Sequence, residues 1–126
     1  MSLSKQNFTS ISMVATGGFF GATARYLLTN PLPAPFNTLV VNVLGSFFLG
    51  MLMYSSDYFA YISPRTRLAI GTGFMGSFTT YSTFALQSYQ LPAHFAIANI
   101  AANIVLTLIG VLMGRGAIIY LSRRKH

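Results

Sequence analysis

The side chains in this chain with chemistry to offer are uncharged, and they are spaced as helix faces. Thr38, Asn42, Ser46 and Gly50 fall four residues apart, as do Asn99, Asn103 and Thr107, with Gly110 and Gly114 continuing the second row. Residues so spaced share one side of a helix. Between the rows lies Gly71 to Phe84, GTGFMGSFTTYSTF, with three glycines and six Ser/Thr residues. Hydroxyls and carboxamides donate hydrogen bonds, and the edge of a Phe or Tyr ring is the positive part of its quadrupole. A file of such groups can replace water around a small anion, provided it holds the ion well enough to dehydrate it and loosely enough to release it. The same polar residues can also act only as glue between membrane helices.

Other chemistries lack the residues they need. Asp57 is the one carboxylate, His94 and His126 are the two histidines, and cysteine is absent. That inventory supplies neither a catalytic acid–base pair nor a metal cage, so an enzyme is not expected. Without cysteine there is also no disulfide framework from which to infer a redox compartment. A proton-coupled transporter, such as a small multidrug exporter, usually carries its proton on an intramembrane carboxylate or histidine. Asp57 lies in a connection and His94 and His126 are peripheral, so movement through this chain is expected to be passive.

The elements that must position these residues are membrane helices. Of 126 residues, 53% are hydrophobic and 7% charged, and the mean hydropathy is +0.58. Such a chain lacks the polar surface of a soluble domain. The formal charge of +7 does not imply nucleic acid, because the cations flank apolar runs instead of forming a patch. Four spans of about the ~20 residues a bilayer requires are expected at residues 8–28, 37–55, 68–89 and 93–113, forming one all-α domain with a basic tail at 115–126. A lysine ahead of span one and the run Ala22-Thr23-Ala24 also resemble a cleavable signal. The small-residue row Gly17, Gly21, Ala24 instead suits close helix packing. Arg25, on that face near the span end, either snorkels to the headgroups or acts on ions.

Span three is the unusual one. Glycine and hydroxyl residues weaken a helix, and hydrocarbon tolerates freed backbone groups only where protein, ions or water satisfy them. Gly71 to Phe84 is therefore expected to be a broken helix inside the protein. Charge placement also predicts an orientation. With the N-terminus in the cytoplasm, Lys5, Arg65, Arg67, Arg115, Arg123, Arg124 and Lys125 lie on that side and Arg25 alone lies opposite. That bias favours a single topology with both ends inside.

GGFFGATARYLL in span one, NTLVVNVLGSFFLG in span two and GTGFMGSFTTYSTF in span three together resemble the Fluc family, the small dimeric fluoride channels of bacteria, in order and spacing. The resemblance covers all four spans. It implies four-helix subunits in the cell membrane that pair antiparallel and export fluoride passively, relieving its toxicity. It further implies that Asn42 is a pore amide, that Tyr81 and Phe84 present aromatic edges, and that Ser82, Thr83 and Thr107 extend the donor track. Thr38 and Asn103, from the two polar rows, complete the expected lining. Arg25 would draw anions to a vestibule, and main-chain carbonyls of Gly76 and Thr79 would hold a structural Na+ at the dimer centre. Tyr81 stands where the family more often has Phe, and Gln87 where several members have Glu. Homodimers of the family insert both ways and have balanced charges. The bias here points instead to one half of a heterodimer with an oppositely oriented homologue. A structural or assembly subunit is the alternative reading.

Overall fold

The computed structural model describes residues 3–58 and 62–124, with side chains over 6–55 and 62–124. The side chains of Lys5 and Asp57, and all of Lys125 and His126, lie outside the described residues. Everything described is helix or connection. Helix α1 is Leu3–Thr29 and α2 is Phe36–Tyr58. Helix α3 covers residues 64–78, α4 is Ser82–Gln90 and α5 is Ala93–Arg123.

The boundaries have local causes. Pro31, Pro33 and Pro35 lack amide hydrogens and cannot continue α1. Ser63 caps α3 by accepting from the Thr66 N–H at 3.1 Å, and Pro64 fills the first helical position, where a missing N–H costs nothing. Pro92 stands one position earlier relative to α5, at the N-cap itself, with ψ at 146°. At 31 residues, α5 is about 46 Å long. It exceeds a ~30 Å hydrocarbon core, so the basic segment from Arg115 to Arg123 continues it as helix.

Two parallel helix pairs build the molecule. In the first, Gly17 and Gly21 of α1 meet the carbonyls of Ala69 and Phe74 in α3 so closely that no Cβ would fit at either glycine. In the second, Gly114 of α5 meets the Phe47 carbonyl of α2, and a Cβ on Gly110 would lie 3.0 Å from the Val43 carbonyl. In each pair the contact positions rise together along both chains, so the partners run the same way. Residues 30–35 turn α2 straight back from α1, and Arg67 at the start of α3 reaches Met53 Sδ near the end of α2 at 3.4 Å. The starts of α1 and α3 and the ends of α2 and α5 therefore share one end of the bundle. Arg65, Arg67, Arg115, Arg123 and Arg124 are at that end, and Arg25 is towards the other.

The interior mixes polar residues with Val41, Leu52, Met75, Phe78 and Ile118, while much of the exterior is apolar. Thr38, Ser55, Thr80, Ser88, Asn99 and Asn103 are buried, whereas Phe8, Phe20, Tyr26, Leu108 and Leu112 are well exposed. An apolar exterior of that extent calls for a lipid or protein neighbour. Two helices, Phe36–Ser55 and Ala93–Arg123, are long and apolar enough to cross a bilayer, and only 28% and 17% of their most apolar windows is buried.

Candidate functional site

The path from α3 to α4 places the site. From Leu68 to Met75 the α3 backbone widens to π-helix, and the Gly76 N–H reaches the Gly71 carbonyl five residues back. Such wide turns are rare and collect at functional sites. Helical geometry ends at Thr79, which is extended at φ −80° and ψ 162°. It resumes at Tyr81, whose carbonyl accepts from the Ala85 N–H at 2.9 Å.

A side chain from another helix repairs the interruption. In a continuous helix the Thr80 N–H would donate to Gly76, and its carbonyl would accept from Phe84. Instead the Thr80 N–H donates to Asn42 Oδ1 at 2.9 Å, and Asn42 Nδ2 donates to the Thr80 carbonyl at 3.1 Å. One carboxamide thus satisfies both main-chain polar groups of the buried Thr80, as a low-dielectric interior demands. The Thr80 hydroxyl meanwhile accepts from the Thr83 N–H at 3.2 Å and donates to the Thr83 hydroxyl at 2.9 Å, capping α4. Among the described residues no buried side-chain nitrogen or oxygen lacks a partner.

Beside this repair lies an open groove of about 400 Å³. Asn42, Tyr81, Phe84, Asn103 and Thr107 line it, along with Gly76, Thr79 and Thr80. The Tyr81 and Phe84 rings stand 5.9 Å apart, tilted by 56°. Three helices therefore bring five of the expected lining residues to one place. Thr107 directs its hydroxyl to the Asn103 carbonyl at 2.6 Å, leaving its lone pairs available and its proton one rotation away.

Three expected lining residues lie elsewhere. Ser82 and Thr83 are exposed on the first turn of α4, outside the groove wall. Thr38 is 1% exposed, and its hydroxyl bonds Gln87 Oε1 at 2.7 Å while Gln87 Nε2 donates to Asn37 at 3.0 Å. It ties α2 to α4. Arg25, approaching from α1, donates to the Thr79 carbonyl at 3.1 Å and does not border the groove.

Gly76 and Thr79 carry the carbonyls expected to hold Na+. The Thr80 N–H is diverted to Asn42, so the Gly76 carbonyl loses its usual i+4 donor, and Gly76 borders the groove. Carbonyls released at a helix C-terminus suit a hard cation. The Thr79 carbonyl already faces the Arg25 guanidinium, and its second lone pair is what an ion would use.

Sequence reasoning passed over Thr80, Ser88 and Asn99 as site residues. Asn103 Nδ2 donates to the Asn99 carbonyl at 3.0 Å and to Asn99 Oδ1 at 3.2 Å. Asn99 Nδ2 donates to Ser88 at 2.9 Å, and Ser88 to the Phe84 carbonyl at 2.8 Å. The signal for Asn99 was its spacing of four from Asn103. Ser88 has that same spacing from Phe84 on α4.

The chain matches the profile of the family described as CrcB-like protein, Camphor Resistance (CrcB), over residues 12–115. It is 47% identical over 125 residues to a protein of Methanosarcina barkeri named fluoride-specific ion channel FluC 2, covering 99% of each chain. A protein of the same name from Methanosarcina acetivorans is 51% identical over 115 residues, covering 91% of each. A second M. acetivorans protein, named fluoride-specific ion channel FluC 1, is 40% identical over 105 residues, 79% of this chain and 80% of the relative.

Proposed function

The chain belongs to the CrcB-like family, and from that membership we propose that it is a fluoride channel of the cell membrane, conducting through the groove at the α3–α4 interruption. Its relatives are named fluoride-specific ion channels. One observation carries the local assignment: carboxamide, hydroxyl and aromatic-edge groups from α2, α4 and α5 converge where the third span is interrupted. Fluoride is a small, strongly hydrated hydrogen-bond acceptor, and a wall of neutral donors replaces its water without trapping it as a full positive charge would. With no carboxylate or histidine in that wall, transport is passive and exports fluoride down its gradient.

In this reading α3 and α4 are the halves of one broken membrane helix, and the four spans cross the bilayer with both termini in the cytoplasm. The groove is open on one side in a single chain, so a second subunit supplies the missing wall. The arginines gathered at one end oppose insertion in both directions. The partner is therefore an oppositely oriented homologue in an antiparallel heterodimer, a reading supported by the FluC 1 and FluC 2 pair named in M. acetivorans. The Gly76 and Thr79 carbonyls would hold a structural Na+, which supplies local positive charge that stabilises the interruption. Arg25 adds a cation behind the same peptide.

The test is fluoride efflux from liposomes, with the chain alone and with a charge-reversed homologue. Fluoride efflux blocked by Asn42→Leu supports the assignment. Efflux indifferent to Asn42 and Phe84 substitutions removes the groove from the pathway.

A further inference from the structure

Two carboxamides in the groove have orientations fixed by the backbone. Asn42 must point its nitrogen at the Thr80 carbonyl and its oxygen at the Thr80 N–H, since each backbone group has only one role. Asn103 must point its nitrogen at the Asn99 carbonyl for the same reason. These constraints leave Asn42 with one amide proton not directed at Thr80, and they leave Asn103 facing it with an oxygen. The two meet at 3.3 Å, Asn42 Nδ2 donating to Asn103 Oδ1. It is the longest hydrogen bond in the chain of contacts that runs from Thr80 to Phe84.

We propose that the Asn103 side-chain carbonyl is a built-in substitute for the anion, occupying the Asn42 amide proton that fluoride takes, and that an ion passes Asn42 only by displacing it. This rests on the fluoride reading of the groove. An acceptor already seated on the donor keeps a desolvated N–H satisfied when no ion is present. It also weakens ion binding by the free energy of the bond displaced, so the ion can leave again. Asn99, which is buried and does not line the groove, is a positioning residue. By accepting twice from Asn103 Nδ2 and donating to Ser88, it keeps the Asn103 oxygen aimed at Asn42. A displaced Asn103 leaves an acceptor site that the ion itself fills, so the Asn42 donor is never bare.

The experiment is the fluoride concentration dependence of efflux in proteoliposomes containing the assembled channel, for wild type, Asn103→Leu, Asn103→Asp and Asn99→Leu. Asn103→Leu removes the competitor, and half-saturation is expected at a fluoride concentration roughly two- to ten-fold lower. Asn103→Asp places a charged acceptor on the same proton and is expected to reduce fluoride flux at least tenfold. Asn99→Leu removes the side-chain acceptor on Asn103 Nδ2 and leaves only the backbone carbonyl to hold it, so it shifts half-saturation in the same direction as Asn103→Leu, by less. A purely structural role for Asn103 would lower flux without tightening apparent affinity. Unchanged or weaker affinity in folded Asn103→Leu, as judged by its elution as an intact assembly, therefore overturns the proposal. If Asn103→Leu does not fold, undiminished flux in Asn103→Asp overturns it. Loss of flux in Asn42→Leu alongside either result would leave the fluoride groove standing and remove only the role given to Asn103.

Discussion

Gly21 and Gly76 are the same residue in two opposite settings, and the regions around them differ in the same way. At Gly21, in the seam between α1 and α3, an added Cβ would collide with the Phe74 carbonyl; at Gly76, on the groove, it would meet nothing within 4 Å. The seam brings backbones together with no side chain between them. The groove keeps them apart and fills the interval with hydrogen-bonding groups. Small residues at helical spacing thus serve two ends in one molecule. Their neighbours decide which: apolar partners close a seam, and an interrupted helix opens a site.

The widest separation between the two regions is expected from substitutions at the seam. Gly21→Leu forces α1 away from α3, and overpacking against backbone is expected to cost about 3 kcal/mol or more. Thermal unfolding in detergent should show little or no folded protein, and a Gly21→Leu protein as stable as wild type would mean the seam is not closed. Asn42→Leu acts on the groove. It leaves the Thr80 N–H and carbonyl unpartnered, at about 1–3 kcal/mol for each buried group, and fluoride flux should fall to the level of empty liposomes. Finding full flux would separate the repair of the interruption from conduction.

Phe84→Ala is gentler on the fold, because Phe84 is only half-buried. Flux should drop at least tenfold while the midpoint of unfolding shifts by a few degrees. Gly76→Ala has the smallest expected effect. Gly76 already has right-handed helical angles of φ −62° and ψ −30° with open space beside it. Alanine there should leave stability unchanged or raise it by up to about 1 kcal/mol. A destabilised Gly76→Ala protein would show that a second chain or an ion crowds that position, a result that sharpens the contrast with Gly21.

Much of this contrast could be read from the residues. The row Gly17, Gly21 marked a close-packed face because small residues at that spacing have few other uses in a membrane helix. The rows through Asn42 and Asn103 marked polar faces for the same geometric reason. Which polar residue reaches the groove was not legible, because spacing gives a face and not a partner. Thr38 shares a row with Asn42, yet Gln87 of α4 claims its hydroxyl. Thr80 looked like one more hydroxyl in a run of them, and its importance lies in its peptide group, which Asn42 serves from 38 residues away in sequence. The π-helical stretch Leu68–Met75 leaves no pattern beyond its glycines, since a widened turn is set by what packs against it. Arg25 was expected to face incoming anions, and its hydrogen bond to the Thr79 carbonyl depends on how α1 docks.

Neutral donors at an interrupted helix are what would carry fluoride passively through this chain. A fluoride electrode outside potassium fluoride-loaded liposomes, with valinomycin added to release the counter-charge, tests this most directly. The expected record is rapid fluoride efflux on adding valinomycin, in the chain alone or with its charge-reversed homologue. Efflux should be absent from empty liposomes and from Asn42→Leu, and an equal load of chloride should be retained. No fluoride release above empty liposomes in either configuration, or equal release of chloride, would contradict it.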